Sequence, residues 1–357
     1  MRQVRGMKLA AVLLIGGLSL AACGGSSSGG SAKSSGATSG GSSLKVGLAY
    51  DIGGRGDKSF NDAAAAGLEK AESTLGISAS NVKELSARAG ETDSDRAQRL
   101  ELLAKAGYSP IVAVGFNYAK ALGEVAPKYP NVKFAIVDGT TDDVKGDNIT
   151  NLVFAEEQGS YLVGAAAALK TKTGHVGFVG GCLTPLIQKF QAGYLAGAKK
   201  IKADIKVDVK YLSTVQQGCS GFNDPAAGKE AAKGMYDGGA DIVYHAAGGS
   251  GSGVFQAAKE AGKLAIGVDA DQYLTASADL QPVILTSMIK HVEVAVLEFI
   301  KAVQDNQVKA GIDRFDLKVG GVGFATSGGK IDDIKSQLDD LQKQIIDGTI
   351  VVPTTVS

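Results

Sequence analysis

From residue 45 onward, short apolar runs alternate with longer stretches rich in Ala, Lys and Glu. The short runs are apolar at consecutive positions, which is typical of strands buried on both faces of a parallel sheet. The longer stretches carry apolar residues at helical spacing, as at Ala97, Leu100, Leu103 and Ala104. Strands that alternate with helices in this way predict an α/β fold with parallel sheets.

The alternation occurs twice along the chain. Strands are predicted at 45–50, 82–85, 111–115, 134–137 and 149–154, and again at 176–179, 205–212, 242–245 and 264–268. Helices are predicted at 61–75, 94–106, 119–128, 159–170, 185–200, 225–237 and 253–261. The remaining strand 283–287, helix 292–304 and strand 318–325 are too short for a third domain, so we interpret them as connections that return between two lobes.

The chain is therefore predicted to form two doubly wound α/β lobes joined by a hinge. We assign residues 44–154 plus 286–317 to the N-terminal lobe, and residues 155–285 plus 318–357 to the C-terminal lobe. A hinge of this kind closes two lobes over a ligand. The carboxyl ends of the parallel strands should face each other across the cleft, where the loops that follow strands bind ligands.

The first 43 residues have a different character. Residues 1–22 combine a basic start, an apolar run of about a dozen residues and a small-residue end, which is typical of a signal peptide and too short to span a membrane. Cys23 follows at once and is predicted to be the lipidated N-terminus of a bacterial lipoprotein. Residues 23–43 are nearly all Gly, Ser, Ala and Thr after that cysteine, a flexible linker. The protein is thus predicted to be lipid-anchored on the extracytoplasmic face of the cell membrane.

Charge and cysteine content argue against several classes of function. The formal net charge is zero for the whole chain, so no basic surface for nucleic acid is indicated. Apart from Cys23 only Cys182 and Cys219 remain, and in an exported protein two such cysteines predict a disulfide rather than a metal site. The glycine-rich stretches match no cofactor or nucleophile motif. No catalytic residue, metal or cofactor is predicted, and His245, at a strand end, is the one histidine worth testing.

Two strand ends carry candidate binding residues. Phe60 and Asn61 stand where a helix begins after the first strand, and an aromatic face beside an amide suits a planar polar ring. Alternatively, Phe60 is a core residue and Asn61 a helix cap. Asp269 ends a strand of the second lobe and can accept two hydrogen bonds from vicinal hydroxyls. Lys290 could pair with Asp269, reach a ligand oxygen or be solvated.

Several segments in order resemble one family, the basic membrane protein or PnrA-like lipoproteins that bind nucleosides for ABC transporters. The resemblance extends from about residue 45 to residue 329. The matching segments are 51–61 (D-I-G-G-R-G-D-K-S-F-N), 114–116, 134–139, 156–161, 177–181, 239–241, 247–249, 266–272 and 286–288. Their common order, more than any single segment, is specific to this family.

The resemblance implies a type I periplasmic-binding-protein fold and a set of ligand contacts. Phe60 would stack on the base, and Asn61 and Asp138 would form hydrogen bonds with the edge of the base. The remaining implied ligand-binding residues are Asp51 in the pocket lining, Gly248 in the segment 247–249, Asp269 on the ribose hydroxyls and Lys290 in support of Asp269. Phe222 is our candidate for the second stacking aromatic, with Tyr244 behind it. In the family, a residue other than cysteine usually follows the segment 177–181, so the cysteine pair is a local addition.

We therefore expect a monomeric solute-binding protein of an ABC importer that captures nucleosides, with purines favoured, and contacts a permease. A sugar or another small solute is the alternative ligand. A surface receptor or sensor without a transporter is an alternative role, and a nucleoside hydrolase or transferase is the enzymatic alternative.

Overall fold

The computed structural model describes residues 42–356. The predicted signal peptide, Cys23 and most of the linker lie outside these residues. Two six-stranded sheets form the frame of the described part. The strands of the first sheet are β1 (Val46–Tyr50), β2 (Val82–Ser86), β3 (Ile111–Val114), β4 (Phe134–Val137), β5 (Ile149–Phe154) and β11 (Gly311–Phe315). Their spatial order is β11-β5-β4-β3-β1-β2, and every pair is parallel.

The second sheet repeats this order with later strands. It contains β6 (His175–Gly180), β7 (Lys206–Tyr211), β8 (Ile242–Ala246), β9 (Leu264–Asp269), β10 (Ile284–Lys290) and β12 (Val322–Phe324). The spatial order is β12-β10-β9-β8-β6-β7, and only the β10–β12 pair is antiparallel. Each sheet therefore reverses its strand order beside its first strand, the arrangement that opens a ligand crevice at the carboxyl ends.

Helices cover both faces of each sheet. They are α1 (Phe60–Leu75), α2 (Asp93–Lys105), α3 (Ala119–Val125), α4 (Glu156–Lys170), α5 (Pro185–Ile201), α6 (Pro225–Asp237), α7 (Gly251–Ala261), α8 (Gln272–Thr275), α9 (Val292–Gln304) and α10 (Lys335–Ile346). One apolar cluster packs α2 and α3 on the first sheet, and another packs α6 and α7 on the second. A third and larger cluster joins the opposite faces of both sheets through α1, α4, α5 and α9. The two predicted doubly wound α/β lobes are confirmed.

The chain passes between the lobes three times. It crosses from β5 into α4 at Ala155, from β10 into α9 at His291, and from β11 to β12 over residues 316–321. The predicted boundary at residue 286 is wrong in detail, because residues 286–290 belong to β10 of the second sheet. The polar pair Thr286 and Ser287 interrupts the apolar residues of the segment 283–290, so its sequence does not show at which residue the chain leaves the sheet.

Apart from the one-turn helix α8, two longer elements of the described residues were not predicted. Strand β11 reads Gly-Ile-Asp-Arg-Phe and lies at the sheet edge, where the charged residues Asp313 and Arg314 are exposed. Helix α10 buries Leu338, Leu341 and Ile345 on one side only. Both elements are recruited to the lobes by packing on one face, a weaker sequence signal than the continuous apolar runs of the central strands.

Candidate functional site

The carboxyl ends of the two sheets face each other across a cleft. All eight predicted ligand-binding residues line it: Asp51, Phe60, Asn61, Asp138, Phe222, Gly248, Asp269 and Lys290. The structure therefore brings together at one cleft residues that are more than two hundred positions apart in the sequence.

The loop between β1 and α1 is organised by Asp57, a cleft residue that was not predicted. Its carboxylate accepts hydrogen bonds from the backbone amides of Ser59 (2.9 Å), Asn61 (2.8 Å) and Asp62 (3.1 Å). These are amides of the first turn of α1, which have no partner inside the helix. Burial raises the pKa of Asp57, and these hydrogen bonds oppose the rise. The Asp-Lys-Ser sequence before an apolar helix was the available signal, because an acidic side chain there caps the helix.

Asn61 connects this loop to the end of β1. Its side-chain oxygen accepts from the Asp51 amide at 3.0 Å, and its Nδ2 donates to Asp57 Oδ2 at 3.0 Å. Asn61 is 2 % exposed, so both of its polar atoms serve the shape of the loop. The predicted contact of Asn61 with a base edge remains a prediction.

Asp51 is buried at the back of the cleft. Its carboxylate accepts from the Ile52 amide at 2.8 Å and from Asn117 Nδ2 at 3.1 Å. Burial raises its pKa to about 6. Gly115, directly after β3, has a φ of 104°, and a Cβ atom there would lie 2.5 Å from Asp51 Oδ2. Glycine at 115 thus allows the Asp51 carboxylate to lie against the end of β3.

Four phenylalanine rings line the cleft, two of which were predicted. Phe60 comes from the first lobe and Phe222 from the second, and Phe116 and Phe190 add to them. Phe116 lies edge-on to Phe222 across the cleft, with ring centroids 6.4 Å apart. Phe116 follows the end of β3, so its position after a strand was a usable signal. Phe190 lies inside α5, where nothing in the sequence distinguishes it from a core residue.

Tyr244 does not line the cleft, so the alternative placement of the second aromatic at this residue is wrong. Its ring is fully buried against Phe178 and Tyr194, and its hydroxyl lies 3.2 Å from Ser160 Oγ. Strand β8 directs this side chain into the core rather than to the strand end. His245, the next residue, is also fully buried, with its ring against Phe255, and is not among the cleft residues.

Lys290 is the charged centre of the site. Its ammonium lies 2.7 Å from Asp138 and 3.4 Å from Glu156, although the side chain is only 1 % exposed. It also lies 5.0 Å from the centres of the Phe60 and Phe154 rings, within cation–π range. Burial alone would lower its pKa, but the carboxylates of Asp138, Glu156 and Asp269 outweigh burial and raise the pKa to about 12. The predicted alternative of a solvated Lys290 is therefore wrong.

Glu156 is a buried member of this charge cluster that was not predicted as a site residue. It is the first residue of α4, is 1 % exposed, and has Lys189 at 3.6 Å in addition to Lys290. Burial raises its pKa to about 7, and the two lysines oppose that rise. Its place directly after β5 was the available signal, as for Phe116.

Asp138 and Asp269 have the same unusual backbone conformation. Their φ angles are 67° and 64°, in the left-handed region that residues other than glycine rarely adopt. Each stands at the carboxyl end of its strand and turns its carboxylate into the cleft. Burial raises the pKa of Asp269 to about 6, against the lowering effects of Lys290 and of a hydrogen bond from Ser59.

Three polar contacts of 2.9 Å or less between described residues join the lobes at the cleft. The Ser59 hydroxyl donates to Asp269 Oδ2 at 2.5 Å, Gln272 Nε2 donates to the Lys58 carbonyl at 2.9 Å, and Lys290 donates to Asp138 Oδ2 at 2.7 Å. The first and third of these use predicted ligand-binding residues. Closure of the lobes and the arrangement of the site are therefore carried by the same side chains.

Comparison with known proteins identifies the relationship. Residues 44–355 match the family model Bmp, described as ABC transporter substrate-binding protein PnrA-like. The chain belongs to this family. The ABC transporter nucleoside-binding protein BmpA of Lactococcus lactis is 36 % identical over 329 residues, covering 87 % of this chain and 89 % of that protein. An uncharacterized lipoprotein of Pyrococcus horikoshii is 37 % identical over 294 residues, covering 80 % of this chain and 69 % of that protein.

A similar solved structure supports this family assignment. An ABC transporter solute-binding protein from Aeropyrum pernix is 30 % identical, with a TM-score of 0.74, covering 87 % of this chain and 94 % of that one. The type I periplasmic-binding fold is thus confirmed, and the protein is a substrate-binding protein of an ABC transporter. Among the described residues, no helix is both long and apolar enough to cross a membrane.

Proposed function

We propose that this protein captures nucleosides, with purines favoured, in the cleft between its lobes and delivers them to an ABC permease. The observation that carries the proposal is the joint placement of aromatic rings and buried carboxylates from opposite lobes on one cleft. A nucleoside has a flat base that stacks on aromatic faces and a ribose whose vicinal hydroxyls donate hydrogen bonds. Phe60 and Phe222 suit the base, and Asp269 suits the ribose.

The existing partner of Asp269 supports the ribose assignment. Its Oδ2 accepts a hydrogen bond from a hydroxyl, that of Ser59, at 2.5 Å. A ribose hydroxyl is the same type of donor, and hydrogen bonds to an ionised acceptor are roughly twice as strong as neutral ones. The name of the Lactococcus lactis relative, a nucleoside-binding protein, agrees with this reading.

The charge of the cleft favours an uncharged ligand. Asp51, Asp57, Asp138 and Asp269 line it, and Glu156 lies next to Lys290. Lys290 is the only basic residue among the described residues of the lining. A phosphate group would meet these carboxylates without a free cation to neutralise it, and like charges in a buried site repel strongly. The proposed ligand is therefore the nucleoside and not its phosphorylated form.

Titration calorimetry at pH 7.5 tests the proposal, with inosine, guanosine, adenosine, uridine, ribose and inosine monophosphate as ligands. We expect the purine nucleosides to bind most tightly, and ribose and the monophosphate to bind at least a hundredfold more weakly. Tighter binding of ribose or another free sugar would contradict the nucleoside proposal and favour the alternative solute. Chromatography of the inosine sample after incubation should show no free hypoxanthine, and its release would identify a hydrolase instead.

We further propose that Cys23 carries the lipid that holds the protein on the extracytoplasmic membrane face. The apolar run and small residues before Cys23 support this, and a relative bears the name lipoprotein. A Cys23→Ser variant should leave the membrane fraction or remain unprocessed in cells. Acylated, membrane-bound Cys23→Ser protein would contradict the assignment. The mature protein is expected to be a monomer. Analytical ultracentrifugation of the protein without its signal peptide and linker checks this.

A further inference from the structure

The second-lobe aromatic wall of the cleft lies on a segment with little regular structure. Residues 212–224 connect β7 to α6 and contain only two short 3-10 turns. Phe222 lies at the end of this segment and is half-buried against the cleft. The place of its ring must therefore be determined by contacts that the segment makes with the rest of the lobe.

A covalent contact ties this segment to the end of β6. Cys182 and Cys219 are joined in a disulfide, and both are essentially fully buried. Cys182 follows Gly181, and Cys219 comes three residues before Phe222 and has a left-handed φ of 52°. The Phe222 amide donates to the Cys219 carbonyl at 3.3 Å. The cystine thus lies one short turn away from the ring that faces the ligand site.

Hydrogen bonds fix the same turn from both sides. Ser213 Oγ donates to the Gly181 carbonyl at 2.7 Å and accepts from the Gly221 amide at 3.0 Å. Ser250 Oγ donates to the Gly221 carbonyl at 2.7 Å. The Phe222 ring packs so closely on Gly181 that a Cβ atom there would lie 2.4 Å from its Cδ1. The cystine, Ser213 and Phe222 therefore form one connected unit around the end of β6.

We propose that the Cys182–Cys219 disulfide is a positioning device for ligand binding, which holds Phe222 in the geometry that stacks on the ligand. Without the covalent link, residues 214–220 are joined to the lobe mainly by local turns, and Phe222 spends part of its time away from the cleft. Apparent affinity falls in proportion to the binding-competent fraction. The disulfide residues do not line the cleft, so the effect must pass through Phe222.

A double-mutant cycle tests this inference, which rests on the proposed function for its ligand. Inosine affinity is measured by calorimetry for the wild type, Cys182→Ala/Cys219→Ala, Phe222→Ala and the triple variant. We expect the cysteine replacements to weaken binding about five- to tenfold in the wild type and by less than about twofold in the Phe222→Ala background. Equal weakening in both backgrounds would show that the disulfide acts generally on the lobe, and would overturn the proposal, as would unchanged affinity in the cysteine variant.

Two further variants control the cycle. Val215→Ser alters a 58 % exposed residue on the same segment and should leave affinity unchanged. If the cysteine variant does not fold, the wild type and Phe222→Ala are compared with the disulfide intact and reduced. Ser213→Ala keeps the disulfide but removes two hydrogen bonds of the unit, so it tests whether anchoring of this turn acts on binding through Phe222. Its effect should likewise disappear in the Phe222→Ala background, and an additive effect would count against the proposal.

A ligand-independent measurement separates this inference from the proposed function. Amide hydrogen exchange across residues 213–223 should become faster in Cys182→Ala/Cys219→Ala, while exchange in β8 and β9 stays unchanged. If the wild type binds no nucleoside, the proposed function fails, but the exchange result still decides the positioning role. Unchanged protection of residues 213–223 would overturn it.

Discussion

The two lobes place an aspartate at the same point of the same strand order, yet give it different partners. Asp138 ends the fourth strand of the first lobe and Asp269 the fourth strand of the second, both with a left-handed φ. Asp138 is neutralised by the Lys290 ammonium from the second lobe, whereas Asp269 is met by the Ser59 hydroxyl from the first. One topological position thus supplies an ion pair in one lobe and a hydroxyl acceptor in the other.

This difference indicates how two similar lobes make an asymmetric site. A carboxylate paired with a buried lysine belongs to an ion pair that is costly to break. A carboxylate bonded to a hydroxyl can exchange that donor for a ligand hydroxyl without losing an ion pair. Both lobes carry the carboxylate at the same position. The residue that faces it from the other lobe determines whether it forms an ion pair or accepts a hydroxyl. The predictions below test that distinction.

The largest effect is expected on stability, from Lys290→Met. This change leaves Asp138 and Glu156 buried without their shared cation, and breaking a buried ion pair from one side costs about 3–5 kcal/mol. Urea unfolding at pH 8 measures the loss. Lys189→Met is the matched control, because Lys189 is 26 % exposed and lies 3.6 Å from the same Glu156. It should cost less than about 1 kcal/mol, and equal losses in the two variants would contradict the central role of Lys290.

Asp269→Ala should cost more binding energy than Asp138→Ala. We expect about 3 kcal/mol for Asp269, from two charge-assisted bonds to ribose, and about 1.5 kcal/mol for Asp138, whose carboxylate is already shared with Lys290. Calorimetry with inosine and 2′,3′-dideoxyinosine checks both. The wild type and Asp138→Ala should discriminate strongly between these ligands, and Asp269→Ala should not. If the wild type binds both ligands equally, Asp269 is not the ribose anchor.

The loss of binding energy should be similar for the aromatic residues of the two lobes. Phe60→Ala and Phe222→Ala are each expected to weaken inosine binding by about 1–3 kcal/mol, the usual value for a stacked base. Phe116→Ala is the comparison, because Phe116 meets Phe222 edge-on and would act through that ring. It should cost no more than about 1 kcal/mol. Wild-type affinity in Phe60→Ala would remove that ring from the site.

The smallest change in ligand affinity is expected when the pH is varied. Burial raises the pKa of Asp269 to about 6, so the carboxylate that accepts ligand hydroxyls is lost as the pH falls through that value. If only the ionised form binds, inosine affinity should fall about tenfold between pH 7.5 and pH 5. The part of this fall that is due to Asp269 should be absent from Asp269→Asn. A fall of the same size in that variant would assign the titration to another group, such as Asp51.

As the pH falls, the contribution of Asp269 to the free energy of unfolding should increase, whereas its contribution to ligand binding decreases. The folded-state pKa of Asp269 is above its ordinary value of 3.8, so its contribution destabilises the fold above pH 6 and is relieved as the pH falls toward 3.8. The difference in unfolding free energy between the wild type and Asp269→Asn should therefore shift in favour of the wild type on acidification. A constant difference from pH 7.5 to pH 5 would show that the Asp269 pKa is not raised.

The central strands and the ends of those strands were predictable from the sequence. Buried parallel strands are mostly apolar, so the central strands could be located to within a few residues, and the edge strands β2 and β7 were located between them despite their polar residues. Residues directly after them, such as Asp138, necessarily reach the cleft because all strand ends of a parallel sheet meet there. Strand β11 and helix α10 were missed because they bury only one face, and the exit of β10 at Lys290 was missed because Thr286 and Ser287 interrupt its apolar residues before the strand ends.

The partners of the site residues could not be predicted. Nothing in the sequence relates Lys290 to Glu156, 134 positions earlier, because their contact depends on how α4 packs on β10 within the second lobe. The hydrogen bonds of Asn61 within its own loop were likewise not predictable, since Asp57 and Asp51 lie within its reach only after the loop has folded. Phe190 carries no signal of its own, because a phenylalanine on an amphipathic helix is usually a core residue.

The crossing of the chain at His291 has a consequence for the order of synthesis. Helix α9 and strand β11 belong to the first lobe, but they follow nearly all of the second lobe in the chain. Until they emerge, α1 lacks the helix that packs on it and β5 has an unpaired edge, both hazards for a partly made chain. The lobe that begins first along the chain is therefore the lobe that is completed only near the end of synthesis.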